Sequence, residues 1–314
     1  MRIATNSYTS TMLDQFSSLQ TQMDNLQSQV STGLSIQSSS DNPTAMDETL
    51  TDLTQKAKQT QYTSNIDSLQ TRANTIYSTL DSLQTIVSKA SEIATTAASG
   101  TSNSTSMTNY ADEVNSLLNE VVSAANTKDP TTGDYLFGGT ESSTTPYTST
   151  TDSSGNITSV TYNGNSSVNA ARISDTQTVS IDIPGENTTG TGTRGLITDS
   201  TSGADMINHL ISLRDDLESG DTTAISATDS PNLTKDEDNI TYQVAHNGTL
   251  QNQLIAASTL ASGNTTTLNT DITNSSSASL TAVATELTSA ETAYQAALET
   301  SAKIQQLSIL NYIS

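Results

Sequence analysis

Few residues of this chain could carry catalytic or ligand-binding chemistry. The sequence holds two histidines, His209 and His246, and no cysteine. Neither histidine has a cysteine, an acidic cluster or a second histidine at the spacing of a metal site. Without cysteine, the chain offers no disulfide, thiolate ligand or thiol nucleophile. The sequence therefore predicts histidines that are solvated or cap helices, and it predicts no metal, no cofactor and no catalytic site.

One segment matches the glycine pattern of a dinucleotide-binding loop. It is GTGTRG at residues 190–195. That pattern binds a pyrophosphate only when a strand precedes it and a helix opens after it. Here a stretch of turn-forming residues precedes it and no helical pattern follows. We interpret the segment as a flexible loop.

The acidic residues outnumber the basic ones and are spread along the chain. Asp215 with Asp216, and the DED run at 236–238, fall at predicted helix ends or loops, where a solvated face or the helix dipole explains them. With 33 acidic and 11 basic residues, the formal net charge is -22. Such a surface repels polyphosphate. The sequence predicts neither an enzyme nor a nucleic-acid-binding protein.

The apolar content is too low for a thick core. Only 32% of the residues are apolar and 4% are aromatic, so each helix should bury one stripe and leave the rest wet. No stretch approaches the ~20 apolar residues of a membrane span, and residues 1–16 lack the apolar region of a secretory signal. We expect no membrane insertion and, for an exported chain, no cleaved signal peptide.

The elements that would position any functional residue are long helices with narrow apolar seams. The seam near the start comprises Met12, Phe16, Leu19, Met23, Leu26 and Val30. The seam near the end comprises Leu280, Val283, Leu287, Ala290, Tyr294, Ala297, Ser301 and Ile304. Steps of four and three place one a/d stripe on each helix, which is typical of a coiled coil. The sequence predicts that the two ends pack antiparallel as arms.

Between the seams the chain is predicted to be helical, then β-rich, then helical again. Four-three patterns predict helices around residues 62–94, 110–125, 206–217, 240–268 and 280–313. Gly, Ser and Thr dominate from about 133 to 203, with strands predicted at 158–162 and 178–183. The predicted fold class is mainly α, with long antiparallel arms and a small β-rich insert. The predicted parts are the arm (1–40 and 280–314), the helical body (41–137 and 204–279) and the insert (138–203).

Several segments together resemble one known family. QVSTGLSI at 29–36, leading to SDNP at 40–43, resembles the flagellin-type N-terminal region. DYLFGGT at 134–140 resembles a segment typical of the flagellar hook-associated protein type 3 family, and residues 294–298 and 304–313 resemble that family's C-terminal helix. The resemblance covers about 1–140 and 240–314. Its most specific residues form the family motif Tyr135, Leu136, Phe137, Gly138 and Gly139.

The resemblance implies a structural subunit of the bacterial flagellum that joins the hook to the filament. It implies export through the flagellar type III apparatus with a chaperone, an extracellular position, self-association in a ring, and contacts with flagellin and a neighbouring hook-associated protein. The arms are expected to be disordered or loosely helical in the monomer. Candidate subunit-packing residues are Leu19, Met23, Leu26, Val30, Leu298, Ile304, Leu307 and Leu310.

Two other interpretations stay open from the sequence alone. One is flagellin or another secreted filament-forming subunit, although the motif around Tyr135 favours a junction protein. The other is a coiled-coil adhesin or signalling protein that binds a ligand through the insert.

Overall fold

A computed structural model describes the backbone of residues 2–313 and the side chains of residues 10–304 and 306. The chain forms two compact units. The terminal unit comprises Met1–Lys58 and Gly263–Ser314, and the central unit comprises Gln59–Ser262. Each unit therefore contains chain from both sides of the β-rich segment. The finer division into arm, body and insert stays a prediction.

Long helices dominate the described chain, of which 66% is helical. They are α1 (Arg2–Thr32), α2 (Pro43–Ala98), α3 (Ser104–Ala125), α4 (Met206–Ser219), α5 (Thr222–Ala224), α6 (Ser230–Ser276) and α7 (Leu280–Ile313). A π-helical turn, Ile225–Asp229, joins α5 to α6. The predicted mainly α class is confirmed. The described residues contain no helix with the length and apolarity needed to cross a bilayer.

Turn chemistry sets most helix boundaries. Gly33 ends α1 with a φ of +72°, a left-handed conformation that glycine adopts without a steric penalty, and its N–H donates to the Gln29 carbonyl over 2.8 Å. Pro43 opens α2, where its missing N–H costs nothing. Asn103 caps α3 by accepting from the Ser106 N–H over 2.8 Å. These three residue types are recognisable as boundary signals from the sequence.

Two boundaries differ from the sequence-based prediction. Helix α3 begins at Ser104, because the polar residues before Tyr110 form its first turns and bring Met107 into the core. The break predicted between residues 219 and 231 is much shorter. Gly220, with a φ of +73°, ends α4, and the chain is helical again from Thr222 because Ile225 is buried. Burial overrides weak helix propensity at both places.

The β structure of the central unit is small. Strands β1 (Tyr147–Thr151) and β2 (Ile157–Tyr162) form an antiparallel hairpin, and β3 (Ala171–Arg172) pairs antiparallel with β4 (Thr178–Val179). Strand β5 (Glu186–Asn187) runs parallel to β6 (Thr198–Asp199), which pairs antiparallel with β7 (Ala204–Asp205). The strand predicted at 178–183 stops at Val179. Ile181 and Ile183 are buried without belonging to a strand, which explains the alternating pattern.

One apolar core runs through the central unit. Helix α2 supplies Ile66, Ile76, Leu80, Leu83 and Val87, all fully buried. The same cluster includes Val114, Leu118 and Val121 of α3, Leu210 and Leu213 of α4, and Leu136, Phe137, Tyr147, Ile157 and Leu196 from the β-rich region. The β-rich region is therefore packed as part of the helical core, and no separate core forms inside it among the described residues.

The terminal unit has a much thinner core. Helices α1 and α7 pack antiparallel, as predicted: Phe16 meets Tyr294 edge-on with ring centroids 5.7 Å apart, and Leu26 packs with Val283 and Ala290. Only these last three side chains are buried in that cluster. Where the two helices meet the rest of the unit, the Ala278 N–H donates to the Gly33 carbonyl over 2.9 Å.

Candidate functional site

The motif from Tyr135 to Gly139 lies between the end of α3 and the β-rich region of the central unit. Leu136 and Phe137 are fully buried. The Leu136 N–H donates to the Thr127 carbonyl over 3.0 Å. The Phe137 carbonyl accepts from the Gly185 N–H at 2.8 Å and from the Tyr162 hydroxyl at 2.9 Å. The motif therefore bonds to three separate stretches of chain, which its local sequence does not reveal.

The two glycines of the motif leave room for another loop. Gly139 has a φ of +68°, and a Cβ there would overlap the Asn165 carbonyl. A Cβ on Gly138 would lie 2.9 Å from the Glu141 carbonyl oxygen. The Asn165 N–H donates to the Gly138 carbonyl over 3.1 Å, and its side-chain oxygen accepts from the Thr140 N–H over 3.1 Å. Side-chain size and backbone conformation both require glycine at 139.

Tyr135 lies at the edge of this arrangement. Its hydroxyl is 3.0 Å from the Thr145 hydroxyl, and its N–H donates to the Ser142 carbonyl over 2.8 Å. The Lys128 ammonium sits 4.6 Å from the centre of its ring, within the range of a cation–π contact. These contacts close the loop from Lys128 to Thr145.

A side-chain amide docks the first strand on α3. Asn126, directly after the helix, donates from Nδ2 to the Tyr147 carbonyl and accepts from the Tyr147 N–H, both over 2.9 Å. The Tyr147 and Tyr162 rings lie 5.0 Å apart. Removal from water raises the pKa of Tyr162 to about 12 and that of Tyr147 well above 10.0. Both phenols stay neutral at physiological pH.

Two arginines neutralise carboxylates within the central unit. Arg72 of α2 forms ion pairs with Asp129 (Nη1 to Oδ2, 3.3 Å) and Asp182 (Nε to Oδ1, 2.8 Å). Arg214 of α4 is buried, pairs with Asp215 over 2.6 Å and donates to the Ile157 carbonyl of β2. Both arginines therefore join helices to the β-rich region, a structural use that the spacing of the charges does not predict.

The prediction that the histidines and the acidic run at 236–238 are solvated or cap helices is wrong for one pair. Asp236 is fully buried inside α6, and its Oδ2 lies 2.8 Å from His209 Nδ1. Burial raises the pKa of Asp236, against the opposing effect of the hydrogen bond from His209. The pairing was missed because 27 positions separate the two residues. Among the described residues, no three His, Asp or Glu side chains converge as a metal-binding group.

The glycine-rich segment at 190–195 is held in place, contrary to the expectation of a flexible loop. Asn187 Nδ2 donates to the carbonyls of Thr191 and Thr193, both over 2.8 Å. The Arg194 guanidinium lies 4.0 Å from the centre of the Tyr242 ring. A strand, β6, follows in place of the helix that a pyrophosphate site requires. The segment lacks the geometry of a dinucleotide-binding loop.

The candidate subunit-packing residues divide by exposure. Leu26 is buried in the α1–α7 seam, whereas Leu19, Met23 and Ile304 are half-buried. Val30 is 40% exposed and Leu298 is 46% exposed. The side chains of Leu307 and Leu310 lie outside the described residues. The structure thus brings Leu26 and Met23 together in the seam and leaves two of the predicted residues facing solvent.

Sequence reasoning missed other large apolar side chains exposed in the terminal unit. Leu13 is 62% exposed, Leu50 50%, Leu53 44% and Leu280 53%. Leu280 was assigned to the seam. The other three lie off both seams, and a leucine outside the four-three pattern was the available signal. Single exposed leucines are ordinary on a protein surface, but four in a unit with so thin a core point to surfaces that partners could cover.

Comparisons with known proteins identify the class of protein. Residues 3–142 match the family model of the bacterial flagellin N-terminal helical region. The chain therefore carries a flagellin-type N-terminal region, and the family resemblance predicted from its sequence is confirmed. A comparison with curated protein sequences finds no significant match.

The solved structures specify the fold further. A protein described as a flagellar hook-associated protein from Vibrio parahaemolyticus is 21% identical, with a TM-score of 0.64, over 76% of this chain and 100% of that one. FlgL from Xanthomonas campestris is 18% identical, with a TM-score of 0.57 over 69% and 98% of the two chains. FlgL from Bacillus cereus is 19% identical, with a TM-score of 0.52 over 73% and 99%. The chain has the fold of these flagellar proteins.

Proposed function

We propose that this chain is a structural subunit of the bacterial flagellum that joins the hook to the filament. The observation that carries the proposal is the fold match, which spans 98–100% of a hook-associated protein and two FlgL structures. The flagellin-type region at 3–142 and the motif at 135–139 support it. The role is architectural, and turnover of a peptide or glycoside by the purified chain would argue against it.

Assembly would occur through apolar side chains that one chain leaves uncovered. Val30 and Leu298 are exposed in the terminal unit, and Leu13 and Leu280 add further apolar surface. Leu19, Met23, Leu26, Ile304, Leu307 and Leu310 complete the proposed packing set. Burying one leucine is worth about 1.5–3 kcal/mol. A ring of copies repeats that gain at every interface, with flagellin and a neighbouring hook-associated protein as the partners above and below.

The terminal arms would gain most of their order on assembly. Their shared seam buries only Leu26, Val283 and Ala290. Helices of this length are marginal in water unless packing supplies their stability. We infer that α1 and α7 are loosely ordered in the exported monomer and become rigid between neighbouring subunits. A loosely ordered arm also suits passage through the flagellar type III apparatus with a chaperone, to a final position outside the cell.

Immunogold labelling of isolated flagella tests the proposal. A junction subunit gives a band confined to the base of the filament, next to the hook. Uniform decoration along the filament contradicts the junction role. Export is tested separately by assaying the chain in culture medium from cells with and without a functional flagellar export apparatus. Secretion that does not depend on the apparatus contradicts the export route.

A second candidate function is that of a filament-forming flagellin. The match of residues 3–142 to the flagellin N-terminal region favours it. Purified flagellin polymerises into long filaments, whereas a junction subunit should join other components without extended growth. Electron microscopy of the purified chain at high concentration separates the two, and filaments of micrometre length would support the flagellin alternative.

A further inference from the structure

The central unit buries a carboxyl group that the fold does not explain. Asp229 is the last residue of the π-helical turn Ile225–Asp229 and is fully buried. Its Oδ1 accepts a hydrogen bond from the Ser212 hydroxyl of α4 over 2.8 Å. Its Oδ2 has no hydrogen-bond partner among the described residues. A buried charge without enough donors is costly, so the protonation state of Asp229 matters for this contact.

Titratable groups of α4 face this carboxyl. Asp216, four residues after Ser212 on the same helix, acts on Asp229 as a neighbouring carboxylate, and His209 acts on it with the opposite sign. His209 is itself bound to Asp236 of α6, and Asp205 precedes α4 on the same side. Burial is the largest influence on Asp229 and, together with Asp216, raises its pKa to about 6.

We propose that Asp229 and Asp216 form a proton-dependent clasp between α4 and the π-helical turn. With a proton, Asp229 becomes a donor, and the Asp216 carboxylate can receive its hydrogen bond. Without it, two carboxylates face each other where little water can screen them, and the turn is pushed away from α4. A π-helical turn is an uncommon departure from the α-helix, and such turns are frequent at functional sites. Relaxation of the turn to ordinary helix or coil would accompany opening.

The sign of the effect follows from the pKa of Asp229. Because the pKa in the folded chain lies above the ordinary 3.8, the clasp is strongest at low pH and weakens as pH rises through about 6. A difference of about two units corresponds to roughly a hundredfold change in the opening equilibrium. A protonated His209 favours the ionised form of Asp229, so it broadens the transition on the acid side. Solutions at neutral pH should contain the loosened clasp.

Hydrogen exchange on the full chain tests the clasp. We expect the amides of residues 222–233 to lose protection by up to about a hundredfold between pH 5 and pH 7.5, after correction for intrinsic exchange, while the amides of α3 change little. Asp229→Asn, which cannot ionise, should remove the pH dependence of this segment. Asp216→Asn should move the transition to lower pH. Glu218→Gln, on the exposed side of α4, should leave it unchanged.

Two results would overturn the clasp. One is equal pH behaviour of residues 222–233 and α3 in the unmodified chain. The other is a pH dependence that persists in Asp229→Asn. If Asp229→Asn does not fold, Asp216→Asn decides the matter, because a transition that stays at the same pH in that variant shows that the two carboxylates do not interact. None of these outcomes depends on the flagellar role.

Discussion

At the scale of single residues, Gly139 is the most constrained position of the family motif. It combines a φ of +68° with a neighbouring backbone that a Cβ would overlap. We predict that Gly139→Ala lowers the free energy of unfolding of the central unit by about 2–4 kcal/mol, from left-handed strain and overpacking together. Urea unfolding measured by circular dichroism provides the number.

Gly155 supplies the matched control for that substitution. It has a φ of +90°, but nothing lies within 4 Å of the position its Cβ would take. Gly155→Ala should therefore cost only the strain, about 1–2 kcal/mol. Equal losses for the two variants would show that the contact with Asn165 contributes nothing.

The paired tyrosines separate a hydrogen-bonded phenol from one without a partner. Tyr162 donates to the Phe137 carbonyl, whereas the Tyr147 hydroxyl is buried without a hydrogen-bond partner among the described residues. We predict that Tyr162→Phe destabilises the central unit by about 1–3 kcal/mol, because the Phe137 and Gly185 backbone groups lose a partner. Tyr147→Phe should cost much less or be neutral. Thermal unfolding of the two variants at neutral pH measures the difference, and a larger loss in Tyr147→Phe would contradict the prediction.

The same pair predicts a limit at alkaline pH. The pKa of Tyr162 is raised by burial from 10.0 to about 12, so the unfolded chain loses its phenolic proton first. Stability is then fully present below pH 10 and falls as pH rises from about 10 towards 12. Unfolding temperatures recorded between pH 8 and pH 11.5 should fall less steeply in Tyr162→Phe than in the unmodified chain. Parallel curves would contradict the assignment.

Residue types predicted local features well and partners poorly. Gly33, Pro43 and the motif glycines mark boundaries or tight contacts because only their own backbone needs decide the matter. His209 and Asp236, or Arg72 and Asp182, meet only after the chain has folded. Local composition around each of them resembles a solvated surface, so nothing in the spacing distinguishes a buried pair from an exposed one.

At the scale of elements, the α1–α7 seam tests how a coiled-coil pattern becomes structure. Leu26 is the buried leucine at its centre. We predict that Leu26→Ala, at a cost of about 2–4 kcal/mol, abolishes the partial amide protection of both helices, since each depends on the other for packing. Hydrogen exchange on the monomer measures it, with the central unit as the internal reference.

Gln22 is the control for the seam, because it lies on the exposed side of the same helix. Gln22→Ala should leave the exchange of both helices unchanged. Protection that survives in α7 after Leu26→Ala would mean that the seam does not hold the two helices together. Exchange of α1 and α7 at the rate of an unstructured peptide in the unmodified chain would contradict the seam in the monomer altogether.

Element type followed from periodicity, whereas element ends and strand lengths did not. The four-three pattern predicted α2, α4, α6 and α7 because each buries one continuous stripe. The first turns of α3 and α6 are rich in Ser, Thr and Asn, whose weak helix propensity is overcome by Met107 and Leu233 entering the core. Residues 180–183 alternate like a strand because Ile181 and Ile183 fill the core, and only the fold shows that no partner strand is present.

At the scale of the whole molecule, the charge opposes association between copies. Each chain carries a formal charge of -22, so the electrostatic term between two copies is repulsive and apolar contacts must exceed it. Raising the salt concentration shortens the range of that repulsion, to about 8 Å at physiological ionic strength. We predict that self-association of the purified chain strengthens between about 20 and 300 mM salt, as measured by analytical ultracentrifugation. Weaker association at high salt would indicate that ion pairs, and not apolar seams, hold the copies together.

The exposed seam residues give the sharpest test of how the molecule assembles. Val30 and Leu298 face solvent in a single chain, being 40% and 46% exposed. We predict that Val30→Glu combined with Leu298→Glu leaves the unfolding of the monomer within about 0.5 kcal/mol of the unmodified chain, as expected for surface positions. In cells the same variant should give hooks without attached filaments and loss of swimming, because the glutamates must be desolvated at every subunit interface.

Gln27→Glu combined with Gln295→Glu adds the same two charges at exposed polar positions of the same helices. This control should swim normally, since it removes no apolar contact. Normal swimming in both double variants would show that Val30 and Leu298 do not pack between subunits. Loss of swimming in both would show that added negative charge alone prevents assembly. Loss confined to the first variant would assign the junction contact to the apolar side chains that a single chain leaves uncovered.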